Sequence, residues 1–508
     1  MAGGDTTHLT RRSFGTLGIA AAISPALSLA ARAAPAHRYR PQIHFAPAKG
    51  FMNDPNGLIR YDGEYHLFFQ HNPTDTRAGN VHWGHAVSTD LLHWRELPIA
   101  IAPDAAGLPF SGSAVFDRDN SSGLFPDERG GMVAVYTRHS DTRQVQEIAA
   151  SVDRGRSFRP FPGNPVLDIG SPSFRDPRVF RHEPSGRWIM AVARSREHRI
   201  AFYGSSDLKR WRELGSFDHA GLLGTDYECP DLVELPVDGG GTRWVLFVSI
   251  NPGAPLGGSA VQYFVGSFDG KRFVPDDAAT RLVDAGPDFY AMQSFADAGT
   301  PPVAIAWMSN WLYCNDVPAN PSRGAMTLPR RLSLRRRADG WTLVQAPVPL
   351  DAIAGRTLLS GERPAKTGVI ATAALPSGEA IEIIARIAPQ RGARLTFALR
   401  NRGGEALVTL VDAGNYPAFS IDRSATRGFR HRYMTDRAIW AAPPDTLATD
   451  IRLIVDRSSI ELVGHGGEGA VTMLHYFDAA PDRLEIVAEN GAVALGGLTV
   501  RTLRATMP

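Results

Sequence analysis

Four short stretches of this chain share one plan, and their spacing restricts the fold more than any other feature. AVSTDLLHWREL (86–97), AASVDRGRSFRPF (149–161), GSSDLKRWREL (204–214) and VGSFDGKRFVP (265–275) each run from strand-forming residues into Ser. An Asp follows one or two positions on, then an aromatic residue four or five positions after the Asp. The aromatic positions Trp94, Phe158, Trp211 and Phe273 lie 64, 53 and 62 residues apart. A unit of that length has room for about four strands, the content of one β-propeller blade. Runs such as YHLFFQ, MVAVYT, WIMAVAR and WVLFVSI supply the strands, and helical periodicity is scarce. A fifth unit around VAIAWMSNWLY completes the count. The expectation is an all-β chain: a five-bladed β-propeller over residues 37–345, followed by a C-terminal β-sandwich.

The texture changes after APVPLDAIAG, residues 346–355, which read as a linker. Residues 356–508 lack the aromatic-anchored unit and alternate instead, as in EAIEIIARI and IRLIVDRSSIELVG, the latter a hairpin turning at Asp456-Arg457-Ser458-Ser459. No acid, base or nucleophile constellation stands out there, which assigns the sandwich to packing or binding. At the other end, Thr10-Arg11-Arg12-Ser13-Phe14 precedes a mildly apolar, Ala-rich run, with Ala31-Arg32-Ala33 as a small-x-small cleavage site. Residues 1–36 therefore read as a twin-arginine-type export signal and short linker, sending the protein to the periplasm or medium.

Composition narrows the partners. Lys and Arg number 54 against 52 Asp and Glu, so the chain carries no global signature of a nucleic-acid or membrane-surface binder. Two cysteines, Cys229 and Cys314, are too few for a disulfide framework or a thiolate metal site, and two free buried thiols are expected. His66, His71, His82, His85 and His93 form a suggestive list, but neighbouring strands spread them over different faces, and no metal is expected.

A propeller gathers the starts of its innermost strands around a central funnel, so acids far apart in sequence can meet there. Three stand out. Asp54 lies in MNDPNG ahead of a strand, Asp176 lies in FRDPRVF before Val179 and Phe180, and Glu228 lies in ECPDL before Leu232 and Val233. Their intervals of 122 and 52 residues approximate two blades and one. Taken singly, each could be a turn residue or a surface ion pair; Asp-Pro-Asn-Gly is good turn chemistry. Together, paired carboxylates around a scissile bond are the requirement of glycoside hydrolysis. Glu228, between Tyr227 and Cys229, is expected to titrate high through desolvation, as a proton donor must, while Arg175 is expected to favour the ionised form of Asp176.

These blocks, in order with FSGSAV, HWGHAVSTDLLHW, GPDFYAMQSF, WMSNW, RGAMTLPR and IVDRSSIELV, resemble the signature segments of glycoside hydrolase family 32, the invertases, inulinases and levanases. The resemblance spans residues 40 to 505. It implies a propeller joined to a sandwich and a retaining double displacement on β-fructofuranosyl groups, without metal or organic cofactor. By the resemblance, Asp54 is the nucleophile, Glu228 the acid/base and Asp176 the transition-state stabiliser. Asn53, Gln70, Phe110, Ser111, Arg175, Tyr290 and Trp311 match positions lining the fructose subsite. The substrate implied is a fructan or sucrose-type carbohydrate. Fructosyl transfer through the same intermediate, and a catalytically silent fructan-binding lectin, are the competing readings. An inverting, arabinanase-type relative would differ in the spacing of its carboxyl pair. Three departures stand out: Phe51 where the family has Trp, which keeps an aromatic surface; Ala78 where Trp is common, which removes stacking area; and Cys314 where Ala is usual, which has no functional reading.

Overall fold

The computed structural model describes residues 38–507 apart from 127–129, 320, 414–416 and 444–447; the export signal expected at the N-terminus lies outside the described residues. Among them, the only helical elements are three 3₁₀ turns.

Five antiparallel blades form the propeller, each with its first strand innermost. Blade I comprises Gly50–Tyr61, Glu64–Asn72, His82–Ser88 and Arg95–Ile101; blade II comprises Leu108–Asp117, Gly131–His139, Gln144–Ser151 and Arg159–Pro160. Blade III comprises Phe174–His182, Arg187–Arg194, Arg199–Ser205 and Arg212–Asp218; blade IV comprises Asp226–Pro236, Thr242–Asn251, Ala260–Phe268 and Phe273–Pro275. Blade V is built from Tyr290–Ser294, Val303–Trp307, Arg330–Arg337 and Gly340–Pro347. The ring is closed by backbone: Ser322–Arg323 pairs in parallel with Gly50 and Phe51, and Ala296 exchanges hydrogen bonds with Leu58 and Arg60.

The repeat seen in the sequence is the turn between the third and fourth strands of a blade. In blade I the Ser88 hydroxyl accepts from the Leu91 N–H at 2.8 Å, and Asp90 accepts from the N–H groups of Leu92 and His93 at 2.9 and 2.8 Å. Blade III repeats this with Asp207 accepting from the Lys209 and Arg210 N–H groups. Short oxygen-bearing side chains thus satisfy a tight turn whose backbone has no ladder partner. The following Trp94 and Trp211 donate their indole N–H to Leu91 and Leu208 carbonyls, as packing anchors.

In the sandwich, the two 21-residue strands Ala354–Ala374 and Arg483–Leu503 pair along their bent length and serve both layers. Arg483–Leu503 pairs through residues 493–503 with Ala380–Pro389 and through residues 483–489 with Arg394–Arg400, so one ten-stranded sheet folds over on itself. Alternate residues point inward, as period-two patterning requires: Ile381, Ile383, Ala385 and Ile387 face Leu395, Phe397 and Leu399 in one core. The hairpin expected at 456–459 forms, with the Asp456 N–H donating to the Ser459 carbonyl.

Between propeller and sandwich runs a chain of buried charge. Arg330 donates to Asp284 at 2.9 Å and Glu461 at 2.6 Å, and His44 bridges Glu461 at 2.9 Å and Asp456 at 2.8 Å. All five side chains are almost fully excluded from solvent.

Candidate active site

The five innermost strands share a local irregularity at one level. Each carries one more residue than its neighbour between Met52 and Pro55, Pro109 and Gly112, Arg175 and Arg178, Glu228 and Asp231, and Tyr290 and Gln293. A bulge of this kind leaves one residue unpaired and re-aims its side chain. Asp54, Ser111 and Asp176 lie within their bulges, and Glu228 and Tyr290 stand at the edge of theirs. From the sequence these acids are expected ahead of their strands. They lie inside them instead: Asn53 to Gly57 belongs to the continuous strand Gly50–Tyr61, Asp176 to Phe174–His182 and Glu228 to Asp226–Pro236. Turn-forming residues serve here to kink a strand. Pro177 and Pro230 are tolerated for the same reason, since a bulge residue has no ladder bond to lose. Gly57, at φ +51°, has no room for a Cβ, which would fall 2.7 Å from the Phe68 ring.

At that level the side chains join in one network. Asp54 accepts from Ser111 Oγ at 2.8 Å and from Asn53 Nδ2 at 3.0 Å. Glu228 Oε1 accepts from Arg175 Nε at 3.1 Å and Nη2 at 3.0 Å, and its Oε2 accepts from the Tyr290 hydroxyl. Asp176 accepts from the Cys229 N–H at 2.9 Å, while its own N–H donates to Thr137 Oγ1 at 2.9 Å. The Cys229 sulfur lies between two of the acids, 3.5 Å from Asp54 Oδ2 and 3.6 Å from Asp176 Oδ2.

Burial with so few cations pushes all three acids upward. Asp176 rises to about 7 because it is desolvated and faces Glu228 and Asp54, effects that outweigh Arg175. Arg175 therefore does not hold Asp176 ionised as expected; its guanidinium is turned to Glu228. Burial also raises Glu228, against the opposing pull of Arg175 and Tyr290, which agrees with the expectation for a proton donor. Asp54 is raised by burial and drawn back by the Ser111 and Asn53 donors. The Cys229 thiol, buried among carboxylates, is held well above its ordinary range and stays protonated.

The remaining expected residues stand one step away. Gln70 is buried and donates to the Pro109 carbonyl at 3.2 Å, next to Phe110. Asn56, with its amide oriented to satisfy its neighbours, accepts from Gln70 Nε2 at 2.8 Å and donates to Ser111 Oγ at 3.3 Å. Phe110 stacks on His139 with ring centroids 4.2 Å apart. Trp311 is half-buried against Trp307, 4.9 Å between centroids. Phe51 keeps no aromatic surface: only 1% exposed, it lies behind Trp307 and Trp311 and can only support them. Ala78 sits half-buried against the same cluster, its N–H on Asn315. Both cysteines are free and buried. The five histidines scatter: His66 and His85 bond each other, His71 bonds the Phe51 carbonyl, His82 the Asn80 carbonyl and His93 Asp90.

Three participants were not singled out from the sequence. Cys229 occupies the same bulge position as Asp176, a correspondence visible when FRDPRVF and ECPDL are aligned on their prolines. Asp226 shares the Arg175 guanidinium at 3.5 Å, and Thr137 supports Asp176 from a neighbouring strand; neither leaves a local signal.

Residues 44–347 match the family model of the glycosyl hydrolases family 32 N-terminal domain, and residues 356–502 match that of the glycosyl hydrolases family 32 C terminal. The chain belongs to glycoside hydrolase family 32. Among its family 32 relatives, a levanase of Bacillus subtilis (strain 168) is 40% identical over 483 residues, covering 92% of this chain and 70% of the levanase. An invertase of Schizosaccharomyces pombe is 39% identical over 510 residues, covering 92% and 85%. The solved β-fructofuranosidase of Schwanniomyces occidentalis, in complex with fructosyl-erythritol, superposes with a TM-score of 0.87 at 36% identity, covering 93% of this chain and 99% of that one. As a family 32 member the chain is a glycoside hydrolase, with the propeller and sandwich of its relatives.

Proposed function

We propose that this glycoside hydrolase removes β-fructofuranosyl groups from fructans or sucrose-type sugars with retention of configuration, through a covalent fructosyl-enzyme intermediate. The observation that carries this reading is the meeting of Asp54, Asp176 and Glu228 from three blades at one bulge level, each held by a different set of donors.

Asp54 is the nucleophile. Ser111 and Asn53 fix its carboxylate, and one oxygen attacks the anomeric carbon as the bond to the leaving oxygen breaks. Glu228 supplies the proton to that oxygen. Its Oε2 faces the Tyr290 phenol, which can accept a hydrogen bond when Glu228 is protonated and donate one when it is ionised. In the second half, Glu228 takes a proton from water, which attacks the same carbon and releases Asp54. Asp176, anchored by the Cys229 N–H, holds sugar hydroxyls while positive charge develops on the ring. Arg175 orients Glu228, and Gln70, Phe110 and Trp311 line the sugar subsite. Export directed by residues 1–36 fits an enzyme whose polymeric substrates lie outside the cell.

Sucrose, inulin and levan offered in parallel to the purified protein test the substrate class through release of free fructose. Rapid quenching followed by peptide mass analysis tests the intermediate: a hexosyl adduct on the peptide containing Asp54 is expected. Release of the inverted anomer, without an adduct, would replace the reading with single displacement.

A further inference from the structure

The central channel has a second mouth. The inner strands that carry the acids at their beginnings continue past a waist where Arg178 pairs with Asp231 at 2.9 Å and donates to the Ser294 carbonyl at 2.9 Å. Ser113 stitches blade II to blade III there, donating to the Pro177 carbonyl and accepting from the Val179 N–H. Beyond the waist the strands open into a cavity of about 590 Å³ between blades II, III, IV and V. At the extended rise of about 3.3 Å per residue, Phe180 in its wall lies roughly 13 Å along the strand from Asp176.

The lining of this cavity is unlike a structural void. Phe180 and Trp244 present half-buried rings 5.5 Å apart on neighbouring blades, with Phe116 beside them packed between Tyr61 and Arg118. Around them stand Arg118 and Arg181, stacked at 5.4 Å over Phe116 and Trp188 respectively, and the carboxylates of Asp119, Glu183 and Asp297. Among the described residues, none of these five charged groups forms a direct ion pair with another, though Arg118 and Arg178 act on Asp297 through space. Guanidinium donors and carboxylate acceptors that leave one another unpaired match a ligand that donates and accepts at every oxygen. The ring faces match the C–H surfaces of a sugar. Arg118 and Arg181 stand on blades II and III beside Asp119 and Glu183, while Glu234 and Asp297 on blades IV and V add carboxylates alone, so the mouth does not favour a polyanion and offers both donors and acceptors to a neutral ligand.

We infer that the far mouth of the propeller is a second, non-catalytic carbohydrate site, which holds a neutral fructooligosaccharide segment and tethers polymeric substrate. This rests on the fructan reading of the near mouth. It is tested on the full chain in two ways. In the non-cleaving Asp54→Ala protein, calorimetric titration with a fructan trisaccharide should give two sites per chain, and adding Arg118→Ala and Arg181→Ala should leave one. With Asp54 intact, the same double arginine change should raise KM for levan about fivefold or more while leaving kcat and KM for sucrose unchanged. Because Arg181 covers Trp188, the exposed pair Asp119→Asn and Asp297→Asn provides the same readouts should the arginine variant fold poorly. One site per chain in Asp54→Ala, or an unchanged KM for levan in both variants, would overturn the inference and leave the proposed function standing. A wild-type chain that releases no fructose from any substrate would overturn the proposed function instead.

Discussion

In the funnel, one guanidinium, Arg175, stands among Asp54, Asp176 and Glu228 and is bonded to Glu228, while Asp226 at the edge is paired by Arg196 at 2.6 Å; at the seam between propeller and sandwich, acid and base alternate as Asp284, Arg330, Glu461, His44 and Asp456. Both clusters are buried, yet their titration runs in opposite directions. Funnel acids are pushed up, Asp176 to about 7, whereas Glu461 at the seam is pulled down to about 2 by Arg330 and His44, and Asp456 is held below its usual range by His44. Burial penalises charge in either place; the supply of opposite charge decides the sign. The seam spends its ionisable groups on cohesion. The funnel leaves its acids under-compensated, in a state in which protons can move.

Removing the groups that handle protons and bonds should have the largest effect. Glu228→Gln keeps the shape but not the proton, and kcat for an unactivated substrate is expected to fall by about 10²–10⁴-fold. Asp54→Asn should fall at least as far, with the fold intact by circular dichroism. A variant of either that retained wild-type turnover would remove the distinction drawn here.

At the seam, Arg330→Met leaves Asp284 without a cation and Glu461 with His44 alone, and is expected to cost about 3–5 kcal/mol in denaturant unfolding. Equal loss from Arg175→Met would show that the funnel is built for cohesion after all. A smaller effect of opposite sign is expected from Asp176→Asn. The native carboxyl holds its proton up to about 7 while the unfolded one loses it near 3.8, so stability declines as pH rises between those values. Replacing it should stabilise the protein by about 1–2 kcal/mol at neutral pH, and the gain should vanish at acid pH, where the wild-type carboxyl is protonated in both states. Activity should fall at the same time.

The smallest effect concerns His44, raised to about 9 by its two carboxylate partners. Its contribution is complete below its unfolded value of 6.5 and is lost as pH rises through about 9. Thermal midpoints should therefore drop between about pH 7 and about pH 10, and the drop should be shallower in His44→Gln.

The periodic part of this architecture could be read from the sequence because it rests on local chemistry. Ser and Asp at the third turn of a blade and an aromatic anchor after them recur wherever the backbone needs the same bonds. The acids were legible for a related reason: each sits in an improbable context, beside proline or between Tyr227 and Cys229. Their placement within strands was not legible, because a bulge and a turn use the same residues and only the partner strand distinguishes them. Arg175 beside Asp176 misled in the same way: Asp176 sits in the bulge at φ +66°, the guanidinium reaches Glu228 on the next blade, and burial with Glu228 and Asp54 outweighs it at Asp176. The seam left no trace at all: His44 and Glu461 are 417 positions apart.

That separation has a consequence for biogenesis. The segment from Gln42 to His44 is held by Asp456 and Glu461, and the Gln42 carbonyl accepts from the Thr506 N–H. A ribosome making this chain produces the first of these partners hundreds of residues before the second. Individual blades can form while translation continues, but the first tether at residue 42 cannot lock until the sandwich hairpin has emerged. The native contacts of residues 42–44 are thus complete only once residues 456–461, made more than 400 positions later, are available to them.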